Sequence, residues 1–409
     1  MLKLYDFQQQ AVEELKAPHA HIVVATCGAG KGAIALHWLK STGKKRWLFI
    51  TTPSKVVSHD VENEAVEWFG EEFVSSLSSF TVLSWGKLRK WVKANYDSLD
   101  EYAIVADEVH KARSGSSSQR GMAFLQIAKR TDCWTGYTAT PGDRWLDFVG
   151  YFVAGGYVKN NTAFKQNYCN IQRFKGFPEV VGYYNIDEMR EWWAEMTVVP
   201  DTSAMQAELP PERHFVHTFK PDPYYRQFKK TRIKTDGEFA DTPGSYCAEQ
   251  RRLCFGKEKQ QWLRDYLENL GEPAVLFYWF TDTGDKLEQL AYESIPKGSH
   301  VWRISGNCKD IPKPDTIGKY DVVICQWNAG SESLNLQFLA EWVSVEPCYA
   351  YGTSEQGRGR IKRIGQSNDR MQFHYLKCPN TIEDGIYLTL KTKGEFSEEE
   401  WARKEGVIE

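Results

Sequence analysis

Short apolar, β-branched runs alternate with amphipathic helical stretches along this chain, in two separate blocks. In the first block His21-Ile22-Val23-Val24-Ala25, Trp47-Leu48-Phe49-Ile50, Tyr102-Ala103-Ile104-Val105-Ala106 and Cys133-Trp134-Thr135-Gly136 read as buried strands. Helical periodicity fills the gaps, from Phe7 to Leu15, Ala33 to Leu39, Val61 to Phe69 and Lys87 to Val92. The second block begins near residue 257, with helices from Lys259 to Leu270 and from Gly284 to Tyr292. Its strands are Ala274-Val275-Leu276-Phe277-Tyr278, Asp321-Val322-Val323-Ile324-Cys325, Trp342-Val343-Ser344-Val345 and Gln372-Phe373-His374-Tyr375-Leu376. A strand that is apolar along its whole length has both faces covered, and strand–helix alternation supplies helices to cover them. The fold class is therefore α/β, with mostly parallel sheets flanked by helices. The stretch between the blocks, about 145–255, is less regular. It is rich in aromatics (Trp192, Trp193, Tyr224, Tyr225) and broken by Pro210-Pro211.

The length, 409 residues, suits two or three domains. A hydrophobic share of 42% and a charged share of 26% exclude disordered and collagen-like chains. No apolar run is long enough to span a membrane, and Met1-Leu2-Lys3-Leu4-Tyr5-Asp6 has no secretory character. Nine scattered cysteines without a C-x-x-C pair argue against a disulfide framework or zinc module, and for a reducing, cytoplasmic setting. With a formal charge of −3, any nucleic-acid surface must be a local basic patch. Lys229-Lys230-Thr231-Arg232-Ile233-Lys234 is one candidate, and a solvated basic face explains it equally well. Ser397-Glu398-Glu399-Glu400 reads as the capping box of a solvated terminal helix.

Ala25-Thr26-Cys27-Gly28-Ala29-Gly30-Lys31-Gly32 follows a strand and opens a helix. Glycines there let backbone N–H groups turn onto phosphate oxygens, the helix N-terminus adds partial positive charge, and Lys31 reaches the β- and γ-phosphates. A glycine-rich turn accounts for the same residues. The position after such a lysine is ordinarily Ser or Thr, whose hydroxyl binds Mg²⁺. Here it is Gly32, which has no ligand atom.

Asp107-Glu108-Val109-His110 closes an apolar strand, where open α/β sheets place their ligands. Asp107 is a candidate Mg²⁺ ligand through water. Glu108 is a candidate for polarising an attacking water, and His110 for relaying to a neighbouring loop. Tyr137-Thr138-Ala139-Thr140-Pro141-Gly142 follows another strand and suits a tight loop. In the second block, Gln356-Gly357-Arg358-Gly359-Arg360-Ile361-Lys362-Arg363-Ile364-Gly365-Gln366 carries Arg360 and Arg363 three apart. On a helix they would share a face. Guanidinium groups there could stabilise charge on a transferred phosphoryl group.

The order of these segments resembles helicase superfamily 2, specifically the Swi/Snf-type ATPases, in a compact phage or prokaryotic form. Leu4-Tyr5-Asp6-Phe7-Gln8-Gln9-Gln10-Ala11-Val12 resembles the family's opening motif, and Ala25 to Gly32 its motif I. Thr51-Thr52-Pro53-Ser54 is similar to motif Ia and Thr81-Val82-Leu83-Ser84-Trp85 to motif Ib. Asp107 to His110 is similar to the DEAH-type box, and Thr138-Ala139-Thr140-Pro141 to motif III. Ala274 to Phe280 looks like motif IV. The run from Gln326 to Gln337 looks like motif V, with Ser331 and Ser333 where glycines are usual. The arginine-bearing segment looks like motif VI.

The resemblance implies two RecA-like lobes with an ATP cleft between them, a first lobe over 1–205, a second over 206–391 and a charged tail over 392–409. It implies that Phe7, Gln8, Gly28, Ala29, Gly30, Lys31, Gly32 and Gln366 hold ATP, with Gln8 on adenine. Asp107 takes Mg²⁺, and Lys31, Asp107, Glu108, Arg360 and Arg363 act in hydrolysis. Pro53, Ser54, Ser84, Trp85, Thr138 and Asn328 are implied to touch DNA of any sequence. The implied activity is that of a DNA-dependent ATPase, translocase or helicase on duplex or branched DNA, serving replication, recombination or repair. Such a protein would be a monomer in the cytoplasm of a bacterium or a phage-infected cell, away from membranes. Two alternatives stay open: a nucleic-acid-binding protein with a degenerate ATP site, and a motor that displaces a DNA-bound protein.

Overall fold

The computed structural model describes residues 2–174, 177–330 and 334–407. The chain forms two compact units, Met1–Gln206 and Ala207–Glu409. The first is built on strands β1 (Ile22–Val24), β2 (Arg46–Thr51), β3 (Ser79–Ser84), β4 (Tyr102–Asp107) and β5 (Trp134–Thr138). A hairpin, β6 (Cys169–Phe174) with β7 (Phe177–Tyr183), and the short β8 (Thr197–Val198) complete it. Its main sheet has the order β3-β2-β4-β5-β1-β8, with every pairing parallel.

The second unit contains β9 (Glu212–Thr218), β10 (Ala274–Tyr278), β11 (Val301–Ile304), β12 (Val322–Gln326), β13 (Glu341–Ser344) and β14 (Met371–Lys377). Their order is β11-β12-β10-β13-β14-β9, again parallel throughout. The α/β class and the two parallel sheets flanked by helices are thus present. The apolar strands are where the runs of Val, Ile, Leu and Phe place them, because each is buried on both faces: β4 and β10 are buried along their whole length. β3, β8, β9 and β11 lie outside the strands read from the apolar runs. β9 shows why: it is largely exposed and carries Glu212, Arg213 and His214 rather than an apolar run.

The less regular stretch divides between the two units. Helices Val149–Ala154, Asn161–Tyr168 and Ile186–Met196 put Tyr151, Phe152, Phe164, Met189 and Met196 into the first core, with Trp192 and Trp193 packed against it. Helices Tyr225–Thr231 and Pro243–Cys254 contribute Phe228, Tyr246 and Leu253 to a satellite core of the second unit. The terminal charged stretch is not simply solvated. Helix Glu398–Lys404 packs Trp401 against that satellite core, and the Trp401 indole N–H donates to Gln250 Oε1 at 2.9 Å. The basic run at 229–234 is largely neutralised: Lys229 pairs with Glu405, and Lys234 with Asp236 and Glu238. All nine cysteines are free thiols. Among the described residues no helix is long and apolar enough to cross a membrane.

Candidate functional site

Register gathers the first unit's polar residues. Ile50 of β2 stands beside Ala106 of β4, Asp107 beside Tyr137 of β5, and Thr138 beside Val24 of β1. Thr51, Asp107, Thr138 and the phosphate loop therefore leave the sheet at the same level, on its carboxyl edge. Residues more than a hundred positions apart become neighbours because parallel strands share a direction.

The phosphate loop turns between β1 and helix Lys31–Ser41. Gly28 and Gly30 have φ of 83° and 71°, a region that side chains with a Cβ rarely adopt. A Cβ on Gly30 would also lie 2.3 Å from Gln8 Nε2. Gln8 is buried beneath the loop. Its amide donates to the Ala29 carbonyl at 3.1 Å, and its Oε1 accepts from the Tyr5 backbone N–H at 3.0 Å. In this structure Gln8 thus acts as a strut for the loop. Phe7 is buried beside it, its ring 5.8 Å from that of Tyr5, and Ala29 is fully buried. Lys31 Nζ donates to the carbonyls of Ala25 and Thr26, both at 3.0 Å, so its ammonium lies over the loop.

Asp107 Oδ2 accepts from the Thr51 hydroxyl at 2.7 Å and from Lys55 Nζ at 2.9 Å. Burial opposes the charge on Lys55, but Asp107, Glu108 and Glu64 outweigh it and raise its pKa. Glu108 sits in the left-handed region at φ 52°, a conformation that costs a non-glycine residue about 1–3 kcal/mol and often marks a functional site. Burial pushes its carboxyl up, yet His110, Lys31 and Lys55 pull harder and hold it at about 2. His110 Nδ1 lies 3.3 Å from Glu108 Oε2 and 3.2 Å from the Thr138 hydroxyl. Glu108 Oε2 is itself buried and accepts no hydrogen bond. An ionised carboxylate near Lys31, a hard oxygen donor in Asp107 and a positive-φ loop fit a nucleotide phosphate with a divalent cation.

In the second unit the arginine segment departs from expectation. Helix Tyr351–Arg358 ends before Arg360, so Arg360 and Arg363 do not share a helical face. They converge through a common acceptor instead. Nη1 of Arg360 and of Arg363 point at the Leu334 carbonyl, at 3.4 and 3.1 Å, and Arg363 also donates to Asn335 Oδ1 at 2.6 Å. Gly359 and the residues after it turn back on themselves, and Gln366 closes that turn. Its Nε2 donates to the carbonyls of Leu339 and Ile361 at 2.9 and 3.0 Å. Gln366 is therefore a clamp on its own loop in this structure. Arg358 and Lys362 both pair with Glu212.

The residues implied to touch DNA separate into two groups. Pro53 starts helix Pro53–Val57 and is exposed; Ser54 is partly exposed, its hydroxyl 3.0 Å from that of Thr52. Asn328 is exposed on the short helix Trp327–Gly330. Ser84, Trp85 and Thr138 are buried, with Thr138 wholly inaccessible, so they cannot grip a phosphate in this conformation. The Trp85 indole N–H donates to the Asp107 carbonyl at 2.8 Å: this tryptophan positions the acidic strand end. Ser331, Glu332 and Ser333, part of the motif V reading, lie outside the described residues.

Thr51, Lys55 and Glu64 are site residues that sequence reasoning missed. Thr51 opens the motif Ia segment, but nothing in spacing links it to an aspartate 56 positions away. Glu64 lies beside Gly32, from which 32 positions separate it in the chain.

No protein-family profile matches the chain. Over 120 residues it is 31% identical to proteins described as "Probable helicase HelY" in two Mycobacterium tuberculosis strains, CDC 1551 / Oshkosh and H37Rv. The match covers 26% of this chain and only 13% of the length of those relatives. Among solved structures, a Sulfolobus solfataricus SWI2/SNF2 ATPase core in complex with dsDNA aligns over 96% of this chain and 91% of its own, with 13% identity and a TM-score of 0.44.

Proposed function

We propose that this chain is an ATP hydrolase of the Swi/Snf type within helicase superfamily 2, using ATP and Mg²⁺ to drive movement along duplex or branched DNA. The observation that supports this most is the strand register of the first unit. It sets the phosphate loop, Asp107, Glu108, His110 and Thr138 along one carboxyl edge. Short similarity to a probable helicase agrees with it.

The backbone N–H groups of the loop and Lys31 receive the phosphates, Lys31 exchanging its two carbonyl partners for phosphate oxygens. Asp107, oriented by Thr51 and Trp85, holds Mg²⁺, which when bound neutralises charge developing on the phosphates. Glu108, ionised at neutral pH, orients and polarises the attacking water. His110 ties Glu108 to Thr138, and so to the Thr138–Pro141 segment, which links hydrolysis to conformation. Arg360 and Arg363 are the candidates for stabilising the transferred phosphoryl group. Contacts to DNA phosphates from Pro53, Ser54 and Asn328 would be sequence-tolerant and salt-sensitive. Roles in replication, recombination or repair, in the cytoplasm of a bacterium or phage-infected cell, and a monomeric state, belong to the same proposal.

The test is ATP turnover at low salt with Mg²⁺, without nucleic acid and with single-stranded, duplex and forked DNA, beside Lys31→Ala. Stimulation by duplex or forked DNA that disappears in the variant is expected. Gly32 favours one competing reading, a DNA-binding protein that holds ATP without hydrolysing it. Turnover no higher than that of Lys31→Ala on every nucleic acid, in folded protein that binds DNA, would establish that competitor.

A further inference from the structure

Gly32 removes the hydroxyl that a phosphate loop ordinarily offers to the metal, yet the space beside it is filled. A Cβ built on Gly32 would lie 2.6 Å from Glu64 Oε2 and 2.9 Å from Glu64 Oε1. The Glu64 carboxylate therefore stands where the side chain of a serine or threonine would begin. It arrives from a different element, helix Asp60–Phe69. There it is partly buried and held by the Trp68 indole four residues on. Its electrostatic neighbours are those of the site: Lys55 attracts it and Asp107 repels it. Lys55 in turn bonds Asp107 at 2.9 Å and feels Glu108 and Glu64 together.

Burying a carboxylate is unfavourable unless something charged offsets it, and Lys55, which attracts Glu64, is shared with Asp107 and Glu108. A hard divalent cation prefers oxygen donors and takes carboxylates readily.

We propose that Glu64 supplies, from the neighbouring helix, the oxygen ligand that Gly32 lacks, so that Gly32 and Glu64 form one exchanged pair at the metal side of the phosphate loop. A side chain at 32 would push the carboxylate out of its place; loss of the carboxylate leaves the loop without its donor. Lys55 is the cation that neutralises these acids in the structure and moves aside when a divalent ion takes that part. This rests on the ATP-hydrolase reading above and concerns only which residue serves the metal there.

The test reads metal binding rather than turnover. Mn²⁺ affinity is measured by electron paramagnetic resonance on protein holding a non-hydrolysable ATP analogue. A fluorescent ADP titration without metal is run in parallel. Glu64→Gln keeps the size of the side chain and should weaken Mn²⁺ at least about tenfold, the scale on which metal sites respond to altered ligation. Nucleotide affinity without metal should stay within about twofold. Gly32→Ser alone should also weaken Mn²⁺, through collision with Glu64. The double variant Gly32→Ser/Glu64→Ala should recover most of the affinity, because the serine hydroxyl then has both room and a purpose. A purely structural role for Glu64 would not be rescued by a serine. Unchanged Mn²⁺ affinity in Glu64→Gln, in protein where Asp107→Asn weakens it, would falsify the exchange while leaving the hydrolase reading intact. Failure of the parent protein to bind any nucleotide would sink both.

Discussion

Each sheet carries a glutamate just beyond a strand, and the two are treated in opposite ways. Glu346, two residues past β13, is 1% exposed and fully matched. It accepts from the backbone N–H groups of Trp279 and Phe280 at 2.7 and 3.1 Å, and from the Thr283 hydroxyl at 2.8 Å. Glu108, directly after β4, sits in strained backbone and leaves one buried oxygen without a hydrogen bond. The same residue type in similar places is thus tied into the fold in one unit and left strained beside the phosphate loop in the other. What separates them is whether each carboxylate oxygen accepts a well-aligned hydrogen bond. The second unit repeats its habit at Lys259. That ammonium is fully buried, bonded to Glu383 at 2.9 Å and to the carbonyls of Val345 and Leu376 at 3.2 and 3.4 Å.

The sharpest way to break this contrast is at Lys259. Lys259→Met strands the Glu383 carboxylate and should cost about 3–5 kcal/mol in denaturant unfolding, the usual penalty for breaking a buried pair. Adding Glu383→Leu should restore much of it. A loss below about 1 kcal/mol in the single variant would mean that the pair is not structural. Next comes Glu108→Gln, for which ATP turnover should fall at least about a hundredfold, the scale of losing one preorganised catalytic group. Because the ionised carboxylate itself contributes stability at neutral pH, the readout is turnover per folded molecule. Glu346→Gln should do the reverse. It loses about 1–3 kcal/mol because charge-assisted bonds are replaced by a mismatched amide. Turnover per folded molecule should be retained. If Glu346→Gln were inactive and Glu108→Gln active, the comparison would be inverted.

Smaller effects refine the picture. Trp85→Phe deletes the indole bond to the Asp107 carbonyl and should lower stability by about 1 kcal/mol. DNA affinity should remain within about twofold; a larger drop would return Trp85 to the DNA surface. The smallest effect is on pH. Glu108 has a folded pKa of about 2, below its ordinary 4.5. Its contribution to stability is complete above pH 4.5 and fades as the pH falls toward 2. His110→Asn removes the partner that holds it down, so acid unfolding should begin at a pH higher by up to about one unit.

Local chemistry made much of this legible. Wholly apolar strands announce a two-sided sheet, which is why β4 and β10 could be located from Tyr102–Ala106 and Ala274–Tyr278. Glycines at positive φ announce a loop that must admit something close, as at Gly28 and Gly30. Acids after a buried strand announce a site. The arginine segment shows the limit. Spacing suggested a helix, but Gly359 lies where the helix stops, and the convergence of Arg360 and Arg363 comes from the Leu334 carbonyl. Trp85 and Ser84 read as surface residues in a motif and proved to be interior.

The sequence by itself determined the α/β class, the apolar central strands, the phosphate loop and the acidic strand end, because each depends on residues within a few positions of one another. Only the tertiary structure decided that Thr51 and Lys55 hold Asp107, that Gln8 braces Ala29, and that Glu64 occupies the space beside Gly32. Those contacts depend on strand order and register, which bring distant segments together through burial of their neighbours. No spacing in the chain encodes them.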